Sequence, residues 1–277
     1  LGIDQYTDRR KKIIAVNSNA FPAGRVLDDQ FFRSELNGDL IITARKQNFF
    51  LDKLDVTLLA GHNVNSRNFQ NVFVQANTLG IPGFYNASNG SDFNGSGETT
   101  TKRRLIGYYA QLSLAYNNYL FLELTGRADQ SSTLPKDKNT YFYPSVSTSF
   151  VFTDAIQLKS DFLSYGKIRA SVSRVGRDAG PYQLESTYFS YAYGNNVAQF
   201  NFPYGTRIGF GASRTIGNPV LSPEFTTSYE VGANLSLLKG KVTLDAAYFY
   251  QNSTDQIFSV AVPATTGFAS QITNVGQ

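Results

Sequence analysis

Between Ser228 and Tyr250 the chain alternates apolar and polar residues almost without fault. Tyr229, Val231, Ala233, Leu235 and Leu237 fall on one face of the first segment, with Glu230, Gly232, Asn234 and Ser236 opposite. After the turn Leu238-Lys239-Gly240 the pattern resumes. Val242, Leu244, Ala246, Tyr248 and Tyr250 share a face, with Lys241, Thr243, Asp245 and Gln251 opposite. A period of two requires strands, and so short a turn requires that they pair antiparallel. Strands of this length, apolar on one face and polar on the other, fit a β-barrel wall in an outer membrane.

The same logic recurs upstream. Tyr108, Ala110, Leu112, Leu114 and Tyr116 share a face, continued by Leu120, Leu122 and Leu124 beyond Asn117-Asn118. Tyr109, Gln111, Ser113, Glu123, Thr125, Arg127 and Asp129 take the other. Further strands are expected at Lys12–Asn17, Phe31–Lys46, Phe49–Asn63, Tyr141–Phe152, Lys167–Val175 and Thr187–Tyr193, with one helical turn allowed in Asp154–Leu163. Short connections fall at Gln47-Asn48, Asn117-Asn118 and Leu238–Gly240. Long ones fall at Val64–Arg103, Gln130–Thr140, Gly176–Ser222 and after Gln251. Short periplasmic turns against long extracellular loops are the asymmetry of outer-membrane barrels. The expected fold class is therefore all-β, an antiparallel transmembrane barrel wall of about ten strands.

Composition agrees. Aromatics make up 14% of the 277 residues, yet mean hydropathy is only −0.24, as alternating strands require. No run of eighteen apolar residues offers a membrane-spanning helix. The absence of cysteine excludes disulfides and thiolate metal sites. The absence of methionine marks the chain as an expected piece of a longer polypeptide, with any export signal upstream of Leu1. A net charge of +4 is modest. The basic runs Arg9–Lys12 and Lys102–Arg104 read as strand ends, with no face on which cations interleave with stacking aromatics; no nucleic-acid partner is expected.

Catalytic chemistry finds no footing. His62 is the only histidine and has no nucleophile motif beside it. Asp92, Asn94 and Ser96 open like a calcium loop, but Arg103 stands where a bidentate glutamate is needed. No catalytic, cofactor or metal residue is assigned. Glu123, Arg127 and Asp129 lie on one strand face, with Arg127 expected to hold both carboxylates ionised. Together with Arg169, Glu230 and Asp245 they form the expected lumen-facing wall. Tyr85, Phe93, Tyr188 and Tyr191 in the long loops are the candidate loop contacts, with packing among the loops the plainer role.

The segment Asn218-Pro219-Val220-Leu221-Ser222-Pro223-Glu224, followed by Thr227-Ser228-Tyr229-Glu230-Val231-Gly232, resembles a signature of SusC/RagA-like TonB-dependent transporters of Bacteroidetes. Leu244-Asp245, Tyr248–Tyr250, Gly107–Leu112, Gly126–Ser132, Tyr143–Ser147, and Lys167–Ser171 ahead of Gly176 follow the same family in order. The resemblance covers residues 104–277; residues 1–103 are more generic. It implies a barrel of about 22 strands closed by a plug. Such a protein imports glycans or peptides with TonB energy and pairs with a SusD-like surface lipoprotein. On that plan residues 1–277 form part of one barrel domain in the bacterial outer membrane, and the plug, TonB box and final strands lie outside them. The competing expectation is a soluble or surface-exposed β-rich glycan-binding module or adhesin.

Overall fold

The structure, a computed structural model, describes residues 1–49, 53–93, 95–158, 160–190, 193–194, 199–200 and 205–276. It is built of strands: β1 (Gly2–Ile14), β2 (Arg25–Lys46), β3 (Leu54–Leu79), β4 (Gly90–Asp92), β5 (Gly97–Tyr116), β6 (Leu120–Ser131), β7 (Thr140–Val151) and β8 (Leu163–Arg177). Short strands follow in the long loop, namely β9 (Tyr188–Ser190), β10 (Tyr193–Gly194), β11 (Gln199–Phe200), β12 (Phe210–Ala212) and β13 (Thr215–Ile216). Then come β14 (Glu224–Leu237), β15 (Val242–Thr254), β16 (Gln256–Ala261) and β17 (Ser270–Val275). One helical turn, α1 (Phe152–Ala155), lies ahead of most of Asp154–Leu163, where the sequence allowed one, and overlaps it only at Asp154 and Ala155. The hydrogen-bonded order of the main sheet is β1-β2-β3-β5-β6-β7-β8-β14-β15, open at both ends, with β4 on β3. By contact density the chain divides into two units, Leu1–Asp39 with Asn63–Leu105, and Leu40–His62 with Ile106–Gln277.

Within the first unit the strands are longer than alternation predicts. Most of Val64–Arg103, expected as a loop, is strand: β3 continues to Leu79 and β5 begins at Gly97. The expectation failed because Asn65, Asn68 and Asn71 are poor strand formers in isolation; cross-strand partners override that preference. Asn63 gives its amide to Asp39 at 2.8 Å, and Asn65 gives its own to Glu35 at 2.6 Å. A small core forms where the strands end, from Val26, Ala76 and Leu79, with Val16, Tyr85 and Ala87 packed on it. Gly24 there has φ +73°, and a Cβ would meet Val16 and Leu79 at 3.0 Å, so both conformation and space ask for glycine. The remaining loop is ordered by asparagine side chains: Asn89 donates to the Ile81 and Phe84 carbonyls and accepts from the Ile81 N–H. The β1–β2 pair is tied by Arg9 to Asp28, Nε to Oδ1 at 2.8 Å, which holds the Asp28 carboxyl below the usual range.

The second unit holds the opening hairpin as expected. β14 and β15 pair in the register Tyr229↔Tyr250 to Leu237↔Val242 across a turn of residues with positive φ, Leu238, Lys239 and Gly240. Asn117 and Asn118 both take positive φ, the type I′ geometry that suits the twist of β5 and β6. The turn expected at Gln47-Asn48 is longer, since β2 ends at Lys46 and β3 begins at Leu54. The length asymmetry is also less clean than expected. The segment between β7 and β8 holds α1 and is longer than the one between β6 and β7. It is pinned by the Thr153 hydroxyl, which accepts the Gly166 N–H at 3.1 Å, while the Phe152 ring covers Gly166.

Above the strands of this unit lies a second core, made of Leu134, Tyr141, Ala179, Leu221 and Ile272. The tail after Gln251, expected as a loop, is instead β15's end followed by the β16–β17 hairpin. Residues 218–224 stitch that hairpin down. Asn218 Oδ1 accepts the Val220 N–H, and Leu221 enters the core with no exposed surface. Asn274 brackets Ser222, accepting its N–H at 3.0 Å and donating to its carbonyl at 2.9 Å. Glu224 accepts the Ile257 N–H at 3.1 Å.

Candidate lumen-facing wall

Register carries the two-faced pattern across strands. Leu124 stands opposite Val146, Val146 opposite Val172, Val172 opposite Tyr229 and Tyr229 opposite Tyr250. Two rungs along the same face another row runs through Phe150, Ile168, Ala233 and Ala246, with Thr148, Ala170, Val231 and Tyr248 on the rung between. These residues do not enter a core: Val172, Ile168 and Tyr229 are 38%, 49% and 51% exposed. A contiguous apolar face of this breadth is far larger than a water-soluble monomer leaves bare. Tyrosines sit at its two ends, Tyr116 edge-on to Tyr119 at 5.7 Å and Tyr229 beside Tyr250 at 6.4 Å.

The opposite face is hydroxyl and charge. Glu123, Ser147, Ser171 and Glu230 form one row across four strands. Arg169 is its hub. Its Nη1 donates to Asn234 at 2.7 Å and to Asp245 at 3.1 Å, and its Nε reaches Glu230 at 3.4 Å. Gly232 makes this possible: a Cβ there would stand 2.8 Å from Arg169 Nε and 3.1 Å from the Ala246 carbonyl. The guanidinium therefore lies flat across β14 and reaches β15.

Glu123, Arg127 and Asp129 are not the single group the sequence implied. Arg127 bonds Asp129, Nε to Oδ1 at 2.8 Å, and Asp129 also accepts the Tyr143 hydroxyl. Glu123 is held instead by the Gln111 amide at 2.9 Å. The reason is pleat geometry: i and i+4 on one strand stand about 13 Å apart, whereas cross-strand neighbours are within reach. Asp55, Thr57, Ser113, Glu123, Arg169 and Glu230, from β3 to β14, line one depression of about 530 Å³. The sheet therefore curls toward its polar face. A second depression of about 570 Å³, lined by Ile168, Val231, Ala233, Ala246 and Tyr248, lies on the apolar face and has the chemistry of a lipid groove.

The remaining candidates separate. Tyr85 packs on the first unit's core. Phe93 and Tyr188 are exposed, by 47% and 73%, and Tyr191 lies outside the described residues. In the calcium-like segment Asp92 accepts the Asn77 amide at 3.3 Å, Ser96 accepts the Gln75 N–H at 2.9 Å, and Asn94 lies outside the described residues. Among the described residues no three His, Asp or Glu side chains cluster as a metal site. His62 stacks on Tyr108 at 4.6 Å with Nδ1 3.2 Å from the Gly107 carbonyl, a structural placement. Sequence reasoning put Gln111 and Asn234 on the polar face but assigned them no role. Their parity was legible; their partners on other strands were not.

Residues 3–277 match the family model of TonB dependent receptor-like β-barrels, and the chain belongs to that family, whose proteins lie in the outer membrane. It is 28% identical over 217 residues to the TonB-dependent receptor P26 of Formosa agariphila, covering 73% of this chain and 20% of that protein. It is 26% identical over 183 residues to the TonB-dependent receptor SusC of Bacteroides thetaiotaomicron, covering 64% and 17%. The structure of the RagAB peptide transporter superposes with a TM-score of 0.83 at 18% identity, over 99% of this chain and 30% of that one. The siderophore receptor PirA from Acinetobacter baumannii gives 0.53 at 13% identity, over 99% and 40%. The chain spans about a fifth of the length of the curated relatives it matches. Those relatives are receptors, not enzymes.

Proposed function

We propose that the chain forms barrel wall and external loops of a TonB-dependent importer that carries glycans or peptides across the outer membrane. The observation that carries this reading is the two-faced sheet. One face is a bare apolar band bounded by tyrosines, and the other a curled wall of serine, Arg169, Glu123, Glu230 and Asp245. An apolar band of this kind is stable against lipid, and the polar face then lines an aqueous lumen. The band weighs against a soluble glycan-binding module, which would have to bury it. In this reading Glu123, Arg127, Arg169, Glu230 and Asp245 face passing substrate, while Asp129 is buried and serves to hold Arg127. Tyr188 and Phe93 are loop contacts, a SusD-like lipoprotein caps the outer loops, and TonB supplies energy through parts beyond these residues. The SusC relative's name as a TonB-dependent receptor supports the TonB assignment, and RagAB's description as a peptide transporter keeps peptide beside glycan.

The test is growth of a strain lacking the gene on panels of oligosaccharides or oligopeptides as sole carbon source. Loss of growth on one class, restored by the wild-type gene, is expected. Unchanged growth and uptake across both panels would overturn the importer reading.

A further inference from the structure

The first unit carries a surface that the wall does not use. In the β1–β2 register Tyr6 stands opposite Arg33, Asp8 opposite Phe31 and Arg10 opposite Asp29, so these side chains share one face. β3 adds Asn65, Arg67 and Phe69. Cations and rings interleave there, contrary to the sequence expectation that no such face exists. The Arg33 guanidinium lies 5.0 Å from the Phe69 ring and 5.8 Å from Tyr6, and Arg10 lies 4.9 Å from Phe31. Phe31 and Phe69 stack at 6.1 Å. The residues come from three strands and lie as far apart in sequence as Tyr6 and Phe69, which is why no local motif announced them.

Their charges are not equally engaged. Arg10 is bonded to Asp8 at 2.8 Å, and Arg67 to Glu35 at 3.0 Å, where Asn65 also donates. Arg33 is exposed and has no carboxylate partner among the described residues; its contacts are the two rings. Rings hold a guanidinium by its face and leave its N–H edge free, and that planar fork matches a carboxylate bidentately. Of the carboxylates beside it on this face, Glu35 is taken by Asn65 and Arg67 and Asp8 by Arg10.

We propose that this face binds an acidic oligosaccharide, with Arg33 receiving a uronate carboxylate and the half-exposed Tyr6 ring and Asn65 carboxamide flanking it. Aromatic faces and carboxamides suit sugar rings and hydroxyls, which both donate and accept. An extended peptide would instead ask for a strand edge and side-chain pockets, whereas these groups lie on a sheet face. The inference names a substrate class and rests on the importer reading only for the ligand's route; binding is measured without uptake, so the two fail separately.

The experiment is calorimetric titration of the whole purified protein in detergent with hexagalacturonate, maltohexaose, hexaglutamate and a six-residue oligothymidylate. Hexagalacturonate alone is expected to bind well. Arg33→Gln should weaken it about tenfold or more, as loss of a charge-assisted bidentate pair does, with Arg33→Lys intermediate. Tyr6→Ala, which removes no charge, should weaken it too. Three results would overturn the proposal: maltohexaose binding as tightly, full affinity in Arg33→Gln or Tyr6→Ala, or no saccharide binding. Tighter, Arg33-dependent binding of hexaglutamate or the oligothymidylate would assign the face to a peptide or nucleic acid instead.

Discussion

Two regions of the second unit obey opposite rules. Along β6–β8, β14 and β15 the aliphatic side chains stand bare: Ile168, Val231 and Leu244 are exposed while Ser171 and Glu230 turn to the concave side. Beyond the ends of those strands, in the connecting segments and β17, Leu134, Leu221 and Ile272 are buried, and their polar neighbours are pinned by asparagine and glutamate. Each region is sensible only in its own solvent. The strands satisfy their backbone across the sheet and face hydrocarbon, whereas the loops face water and must build a core. One chain thus carries a lipid-solvated wall and a water-solvated cap.

Substitutions can break this contrast. Leu221→Ala should cost about 2–5 kcal/mol of the cap's stability, as a fully buried leucine does, read as faster proteolysis within 178–223 and 255–276. Leu244→Ala, by the same deletion on the wall, leaves no cavity because lipid fills the space, and should cost only the transfer part, about 1–2 kcal/mol. The reverse holds for charge. Leu244→Arg should cost about 2–4 kcal/mol in urea titrations of vesicle-inserted protein, if it lies near the midplane, while Ser171→Arg on the polar face should be nearly silent. Asn274→Ala strands the Ser222 N–H and carbonyl and should cost about 1–3 kcal/mol. A loss as large from Leu244→Ala as from Leu221→Ala would erase the distinction.

The smallest effect belongs to the first unit. Arg9 depresses the Asp28 carboxyl, so the pair stabilises the β1–β2 edge at pH values above the unfolded aspartate range. That contribution fades as pH falls through the depressed folded value. The pair is exposed and screened by salt, so amide exchange of β1 should respond to acid only slightly, and Asp28→Asn should abolish the response.

How much of this was legible follows from where the partners lie. Alternation in β14 and β15 needed only ten residues in a row to be read, and Asn117-Asn118 announced its own turn. The Asn-rich run of β3 beyond Asn63 was missed because its strand is held by Glu35 and Asn37 on another strand. The tail was missed because the β16–β17 hairpin depends on Asn274 meeting Ser222, fifty-two positions away. At the wall, parity placed Arg169, Glu230 and Asp245 on one face, but Gly232's role as the saddle for the guanidinium exists only across strands. Likewise Glu123 was paired with the wrong neighbour because its partner, Gln111, is on β5.

The chain has no cysteine, which makes the central claim directly measurable. Single cysteines placed in turn at positions 242 to 250 of the membrane-inserted protein can be challenged with a charged, water-soluble thiol reagent. The account predicts a period of two: Leu244→Cys, Ala246→Cys and Tyr248→Cys shielded by lipid, with Thr243→Cys, Asp245→Cys and Ala247→Cys modified from the polar side. Uniform modification, or the inverse alternation, would contradict the assignment of the apolar face to the membrane.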